Sequence, residues 1–317
     1  MQSDMPDILR NMRHFLSMRD YEAPVIEALI DFGVKRKQLF KSGRLKQVLQ
    51  GKILAMLFQK SSLRTRLGFE AAMIQLGGHA INLEDHQVGL ANREDVKDIA
   101  RVISSMCDGL MARVYAHQSL IELASVSTIP VINGLSDWSH PCQALADMMT
   151  IREHFGEFKD LKLAFIGDGN NVARSLCNAS ALLGVSFAIA SPSGYALDAG
   201  VLEHARSVAN QTKASVLVTD QPAEAAAAAD IIYTDVWTSM GQETEQADRE
   251  KAFAGFQVNA ELMKRAKPHA VIMHCLPAHR QQEITHDVLD GPQSLVFQQA
   301  ENRLHSQRAL LEVLLGQ

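Results

Sequence analysis

The run Ser62-Leu63-Arg64-Thr65-Arg66 sets two hydroxyls and two guanidinium groups within five residues at the start of a helix-like stretch. Ser61 or Ser62 suits an N-cap. The first N–H groups of a helix lack carbonyl partners and carry partial positive charge, so such a terminus seats an anion. Cations placed there oppose the macrodipole, which makes electrostatic sense with a bound phosphate or carboxylate. The alternative is a capped surface helix whose arginines lie in solvent. Leu63, Leu67, Ala71 and Ile74 recur at helical spacing, and Gly77-Gly78 supply a stop.

Other reactive side chains follow short apolar runs. Arg113 ends one such run, with His117 just beyond it. His140-Pro141-Cys142-Gln143 opens a helical stretch, with the proline in the first turn. A later run leads into Gly167-Asp168-Gly169-Asn170-Asn171, another into Asp235-Val236-Trp237-Thr238-Ser239-Met240-Gly241, and a third into Cys275-Leu276-Pro277. Asp235 can pair with an ammonium group, and Cys275 offers a polarizable or thiolate contact. Each has a bland reading beside it: a solvated strand-end arginine, a capping histidine, a buried thiol. The glycine turn departs from a dinucleotide fingerprint. Val172 stands at its third glycine, and the next strand ends in Ser191-Pro192 where an acid should hold a ribose. His274, Cys275 and His279 lack a catalytic zinc spacing, so no metal is expected.

Short apolar runs alternating with amphipathic stretches position these residues, and that alternation is the pattern of parallel α/β folds. Strands are expected at 52–58, 80–83, 108–113 and 130–133, and then at 162–166, 186–190, 215–218, 230–234 and 271–274. A helix at 143–155 reads as the hinge between two domains, and a last helix is expected at 301–315. The 317 residues suit two domains, each a parallel sheet flanked by helices. Ligands of such sheets bind outside the carboxyl ends of the strands, where the residues above fall.

The net charge of −5 argues against a nucleic-acid or anionic-membrane surface, so any positive charge the function needs is local. The four cysteines, Cys107, Cys142, Cys177 and Cys275, lie far apart, which suits a reducing cytoplasm. The N-terminus has no basic flank before an apolar core, and no apolar run approaches the ~20 residues of a membrane span. A soluble, cytoplasmic protein is expected.

Taken in order, Ser-x-Arg-Thr-Arg, the strand-end Arg113 before His117, His-Pro-Cys-Gln, Gly-Asp-Gly-Asn-Asn, Asp-x-x-x-Ser-Met-Gly and His-Cys-Leu-Pro resemble the motifs of the ornithine carbamoyltransferases. The resemblance runs from about Phe15 to Glu301-Asn302-Arg303. It implies a carbamoyl-phosphate-binding domain at 1–142, an ornithine-binding domain at 143–298, and a C-terminal helix at 299–317 packing back on the first. It further implies that Ser62, Leu63, Arg64 and Thr65 surround the phosphate, with Arg113 reaching between phosphate and carbonyl. His140 and Gln143 would bind the carbamoyl group, with Cys275, Leu276 and Arg303 completing that pocket. Asn171, Asp235, Ser239 and Met240 would hold ornithine. Relatives that use aspartate carry threonine at the position of Cys142 and lack the Asp235–Gly241 and Cys275 pattern, which favours ornithine.

Two positions depart from the family pattern. Leu63 stands where many relatives have threonine, leaving that contact to the backbone N–H. The glutamine that relatives send into a neighbouring subunit's site corresponds to Gln87, although its spacing to Arg93-Glu94 is long. The expected reaction is attack of the neutral δ-amine of ornithine on carbamoyl phosphate, yielding citrulline and phosphate. Arg64, Arg113, Thr65 and His140 would stabilise the oxyanion, with Asp235 and Cys275 orienting the amine. No cofactor is implied. Arginine synthesis is the expected role and a homotrimer or higher multiple the expected assembly. Putrescine or N-acetylornithine as acceptor, arginine degradation, a nucleotide-dependent oxidoreductase and a non-catalytic relative are the alternatives.

Overall fold

In the computed structural model, residues 5–90, 93–238 and 243–316 are described. The chain forms two compact units, Met1–Met149 with Glu301–Gln317, and Thr150–Ala300. The boundaries expected at 142/143 and 298/299 thus fall a few residues later, inside two continuous helices. A helix is one hydrogen-bonded rod, and local sequence does not mark the residue at which its packing partners change.

In the first unit the elements run α1 (Ala23–Lys41), β1 (Ile53–Phe58), α2 (Leu63–Gln75), β2 (His79–Glu84), α3 (Asp85–Val88) and α4 (Val96–Met106). There follow β3 (Gly109–Arg113), α5 (His117–Val126), β4 (Val131–Leu135) and α6 (Pro141–Phe155). The second unit holds β5 (Lys162–Ile166), α7 (Asn171–Leu183), β6 (Ser186–Ala190), α8 (Ala199–Thr212), β7 (Val216–Thr219) and α9 (Pro222–Ala226). It continues through β8 (Ile231–Thr234), α10 (Gln246–Ala252), α11 (Ala260–Met263), β9 (Val271–His274) and α12 (His286–Leu289). The last helix, α13 (Val296–Leu315), starts five residues before the expected 301. No described helix is long and apolar enough to cross a membrane.

Among the described residues the first unit has a parallel sheet in the order β2-β1-β3-β4, and the second a parallel sheet in the order β7-β6-β5-β8-β9. Both grow outward on one side and then jump to the other side of their first strand. The reversal lies between β1 and β3 in the first unit and between β5 and β8 in the second. Helices leave such neighbouring strands on opposite faces, which opens a crevice at their carboxyl ends. β4 runs on to Leu135 through a register shift opposite Ala112/Arg113. Gly134 permits this, since a Cβ there would lie 2.5 Å from Met111 Sδ.

The apolar repeat of α2 faces outward. Thr65, Gly68, Phe69, Ala72 and Met73 are its buried face, while Leu63, Leu67 and Ile74 are 74%, 62% and 61% exposed. α13 has a mostly apolar end, Ala309 to Leu315, whose Leu315 lies against Gly109 of β3, and a polar seam towards α1. In that seam Arg36 donates to Glu312 at 2.8 and 2.5 Å, and Lys37 donates to Asn302 at 2.7 Å.

Candidate active site

In the first unit, Phe58 and Arg113 are register partners at the ends of β1 and β3, which brings the Ser62 turn and Arg113 to one reversal crevice. Ser62 is the N-cap of α2, its Oγ accepting from the Thr65 N–H at 3.3 Å. Leu63 and Arg64 are the first two residues of the helix, so their N–H groups point out of its end. Leu63 turns its side chain to the surface and can serve an anion there by backbone alone. Thr65 is buried and its Oγ1 accepts from Arg303 Nη2 at 2.9 Å. Arg66, by contrast, is exposed and faces Glu70 at 3.7 Å, so one of the expected cations points away. Gln59 holds the strand ends together: its Oε1 accepts from Tyr115 N at 3.0 Å and its Nε2 donates to Asp85 at 3.2 Å. Nothing in the local sequence singled it out.

His140 immediately precedes α6, and its carbonyl accepts from Gln143 N and Ala144 N at 3.1 and 3.2 Å. Its imidazole is buried and held well below the ordinary histidine range, first by burial and then by the charges of Arg303, Arg113 and Arg64. The charges of three guanidinium groups thus reach an imidazole that is held neutral and can donate a hydrogen bond without being a cation. Arg303 of α13 donates from Nη1 to Gln143 Oε1 at 2.6 Å, joining that residue to the cluster. Cys142 donates to the Asn133 carbonyl at 3.3 Å, and burial pushes its thiol up to about 12, so it acts as packing. His117, the first residue of α5, reaches the β4–α6 turn, with Nδ1 2.9 Å from Ser136 Oγ. Gln87 is exposed on α3, and its Oε1 accepts from Glu84 N in a capping box.

In the second unit the reversal crevice is lined from β5, β8 and β9. Ile166 pairs with Thr234, and Thr234 with His274, so the three following turns are neighbours. Gly169 passes so near Ala196 that a Cβ would lie 2.6 Å from its carbonyl carbon. Asn170 caps α7, its Oδ1 accepting from Val172 N and Ala173 N at 2.9 and 3.0 Å. Its Nδ2 donates to Asp235 Oδ2 at 2.8 Å. The other oxygen, Asp235 Oδ1, accepts from Cys275 Sγ at 2.9 Å and from Val236 N at 2.8 Å. Asn170 is thus a site residue that the motif reading passed over in favour of Asn171, which is the half-buried first residue of α7. Its cap position was the available signal.

Cys275 and Leu276 follow β9 in a turn with Leu276 at φ 56° and a cis Leu276–Pro277 bond. His274 braces this turn. Its Nδ1 accepts from Leu276 N at 2.9 Å, which leaves Nε2 to donate to the buried Glu283 at 3.0 Å. Asp235, His274 and Cys275 present ligand atoms within 4.8 Å of one another, the spacing of a metal site. Both His274 ring nitrogens are already engaged in those hydrogen bonds, so the histidine fits a brace better than a ligand. Arg249 of α10 donates to Asp168 at 2.8 Å and to the Trp237 carbonyl at 3.0 Å. The expected ornithine ligands Ser239 and Met240 lie outside the described residues.

Comparison with known proteins agrees with this division of labour. Residues 13–153 match the family model described as the aspartate/ornithine carbamoyltransferase carbamoyl-P binding domain, and residues 159–314 the one described as its Asp/Orn binding domain. The ornithine carbamoyltransferase of Anoxybacillus flavithermus is 49% identical over 303 residues, covering 96% of each chain. The anabolic ornithine carbamoyltransferase of Pyrococcus furiosus is 49% identical over 304 residues, again 96% of each. Among solved structures, the ornithine carbamoyltransferase from Pyrococcus furiosus superposes with a TM-score of 0.94 at 49% identity, over 96% of this chain and 97% of that one. The anabolic ornithine carbamoyltransferase from Campylobacter jejuni gives 0.89 at 38% identity, over 96% and 99%.

Proposed function

The chain belongs to the aspartate/ornithine carbamoyltransferase family, and we propose that it transfers the carbamoyl group of carbamoyl phosphate to the δ-amine of L-ornithine, releasing L-citrulline and phosphate. The observation that carries this reading is the chemical contrast between the two reversal crevices. One gathers Arg64, Arg113 and Arg303 about a helix N-terminus and a neutral His140, a setting for a phosphate next to a carbonyl. The other holds the Asp235 carboxylate between Asn170 and Cys275, a setting for a cationic amino acid. Aspartate as acceptor would bring a second carboxylate towards Asp235.

In the first crevice the N–H groups of Leu63 and Arg64, the Ser62 hydroxyl and Arg113 take the phosphate. Arg64, Arg113, the Thr65 hydroxyl and His140 then receive the charge that builds on the carbonyl oxygen, preorganised help of the kind that dominates many enzymes. Asp235, Asn171, Ser239 and Met240 take ornithine, with Cys275 aligned through Asp235. The attacking amine has to be neutral, so turnover rises with pH into the alkaline range. His140, neutral already, adds no ionisation of its own at neutral pH.

We place the reaction in arginine biosynthesis in the cytoplasm, and the chain in a homotrimer or a multiple of one. The outward apolar stripe of α2, Leu63, Leu67 and Ile74, supports burial against another copy. Gln87, on the exposed α3, is the residue we assign to a neighbour's phosphate site. The deciding assay is citrulline formation from carbamoyl phosphate and ornithine, run beside putrescine, N-acetylornithine and aspartate. Ornithine should give the highest kcat/KM; a higher value with any of the other three overturns the acceptor, and no turnover of carbamoyl phosphate overturns the reaction.

A further inference from the structure

Gln143 and Asp147 lie one turn apart on the same face of α6, both inaccessible to solvent. Gln143 Nε2 donates to Asp147 Oδ1 at 2.8 Å, and Gln143 Oε1 accepts from Arg303 Nη1 at 2.6 Å. Arg303 Nη2 continues the chain to Thr65 Oγ1 at 2.9 Å, at the phosphate end of α2. A guanidinium group only donates and a carboxylate only accepts, so the amide between them has one sense. Flipping it would set an NH2 group against the guanidinium and a carbonyl oxygen against the carboxylate. Both contacts are repulsive in a buried setting where charge-assisted hydrogen bonds are strong.

That sense matters because of what surrounds it. Arg64, Arg113 and Arg303 offer donors alone. These cations satisfy a phosphate and a carbonyl oxygen, but they cannot accept from an NH2 group, which must itself donate. The second lone pair of Gln143 Oε1 answers that need. We propose that Asp147 is a positioning residue for substrate choice: by fixing the sense of the Gln143 amide it keeps an acceptor turned towards the carbamoyl NH2, so that the site selects an amino group over a methyl group. The proposal rests on the reading that the first unit binds carbamoyl phosphate.

Acetyl phosphate carries the same phosphate and carbonyl with CH3 in place of NH2, and so isolates the effect. In Asp147→Asn the new amide can face Gln143 with either its oxygen or its nitrogen, so one of the two contacts that enforce the sense is lost and only that with Arg303 remains. The KM for carbamoyl phosphate should rise about tenfold, the worth of one hydrogen bond to a polar group. The inhibition constant of acetyl phosphate and the KM for ornithine should move less than about twofold. Equal weakening of both acyl phosphates, which leaves their ratio unchanged, would mark Asp147 as merely structural and overturn the proposal. Gln143→Glu alone sets two carboxylates together and should be impaired. Adding Asp147→Asn restores a donor opposite the new carboxylate and should recover part of the lost affinity for carbamoyl phosphate; strictly additive losses in the double variant overturn the proposal even where Asp147→Asn is less stable. If the wild-type protein neither binds nor turns over carbamoyl phosphate, the reading of the first unit falls first.

Discussion

Cys275 Sγ stands 2.9 Å from Asp235 Oδ1, although 40 residues separate the two in sequence. The contact exists because β8 and β9 are neighbours in register, Thr234 beside His274, so that the residue after each strand meets the other. Asn170 approaches the opposite carboxylate oxygen from the end of β5. Three strands therefore fix one carboxylate from both sides, leaving it little freedom to follow a poorly placed amine.

Asp235→Asn should lower kcat/KM for ornithine by about 10- to 150-fold, the range for losing a hydrogen bond to a charged group, with little change in the KM for carbamoyl phosphate. Cys275→Ala should give a smaller loss. Because the thiol acts through the carboxylate, the double variant should fall well short of the product of the two single effects. Steady-state kinetics on the four proteins of the cycle decide this; independent, multiplying effects would show that Cys275 acts on its own.

Much of this site was legible because its chemistry is local to strand ends and helix starts. Ser62 as a cap, Pro141 in a first turn and Asp235 after an apolar run are short-range signals. What escaped depends on packing between distant segments. The apolar spacing of Leu63, Leu67 and Ile74 marks a helix but says nothing of which side meets the sheet; Gly68, close against Gln307 of α13, belongs to the side that does. Arg66 reads like Arg64 in the chain, yet two residues turn it about 200° around the helix and out to Glu70. Asn170 and Asn171 are likewise adjacent, and only the neighbouring strand shows which one touches Asp235. Gln59 serves as a bracket between turns, a role with no compositional signature.

Arg64→Ala removes a cation from beside His140 and from the anion seat of α2. Turnover should fall by about 10²- to 10³-fold or more, as expected when a preorganised charge donor is lost from a developing oxyanion. Arg66→Ala, on the outward face, serves as the control and should leave kcat within about twofold. Near-normal kcat and KM in Arg64→Ala would remove the turn from the site altogether.

Glu312 lies buried on α13 with Arg36 of α1 bonded to it at 2.5 and 2.8 Å, and the Arg36 guanidinium rests 4.4 Å from the Phe32 ring centre. Removing one partner strands the other charge in the interior. Glu312→Gln should therefore cost about 3–5 kcal/mol of stability, seen as a lower denaturant midpoint. Replacing both, as Arg36→Met with Glu312→Leu, should recover most of that loss. A single variant within about 0.5 kcal/mol of wild type would mean that the pair is hydrated or compensated.

His305, also on α13, makes the unit sensitive to acid. Its Nδ1 accepts from Arg308 Nη2 at 3.0 Å, so the proton sits on Nε2, which faces Glu301 at 3.0 Å. Burial, with Arg308 and Lys37 nearby and against the pull of Glu301, holds the imidazole down at about 4 from its ordinary 6.5. Above 6.5 both folded and unfolded chains carry it neutral, and it has no effect on the pH dependence. As pH falls from 6.5 towards 4 the unfolded chain takes up a proton that the folded chain refuses, so stability is lost across that window and levels off below it. The full separation corresponds to about 3 kcal/mol. His305→Gln, which cannot be protonated, should be less stable than wild type at pH 7.5 by the lost contacts, but the difference should shrink or reverse by about 2–3 kcal/mol at pH 4.5. Urea unfolding at the two pH values measures this directly. A stability difference between variant and wild type that is the same at both pH values would show that His305 is not the group through which acid acts on α13.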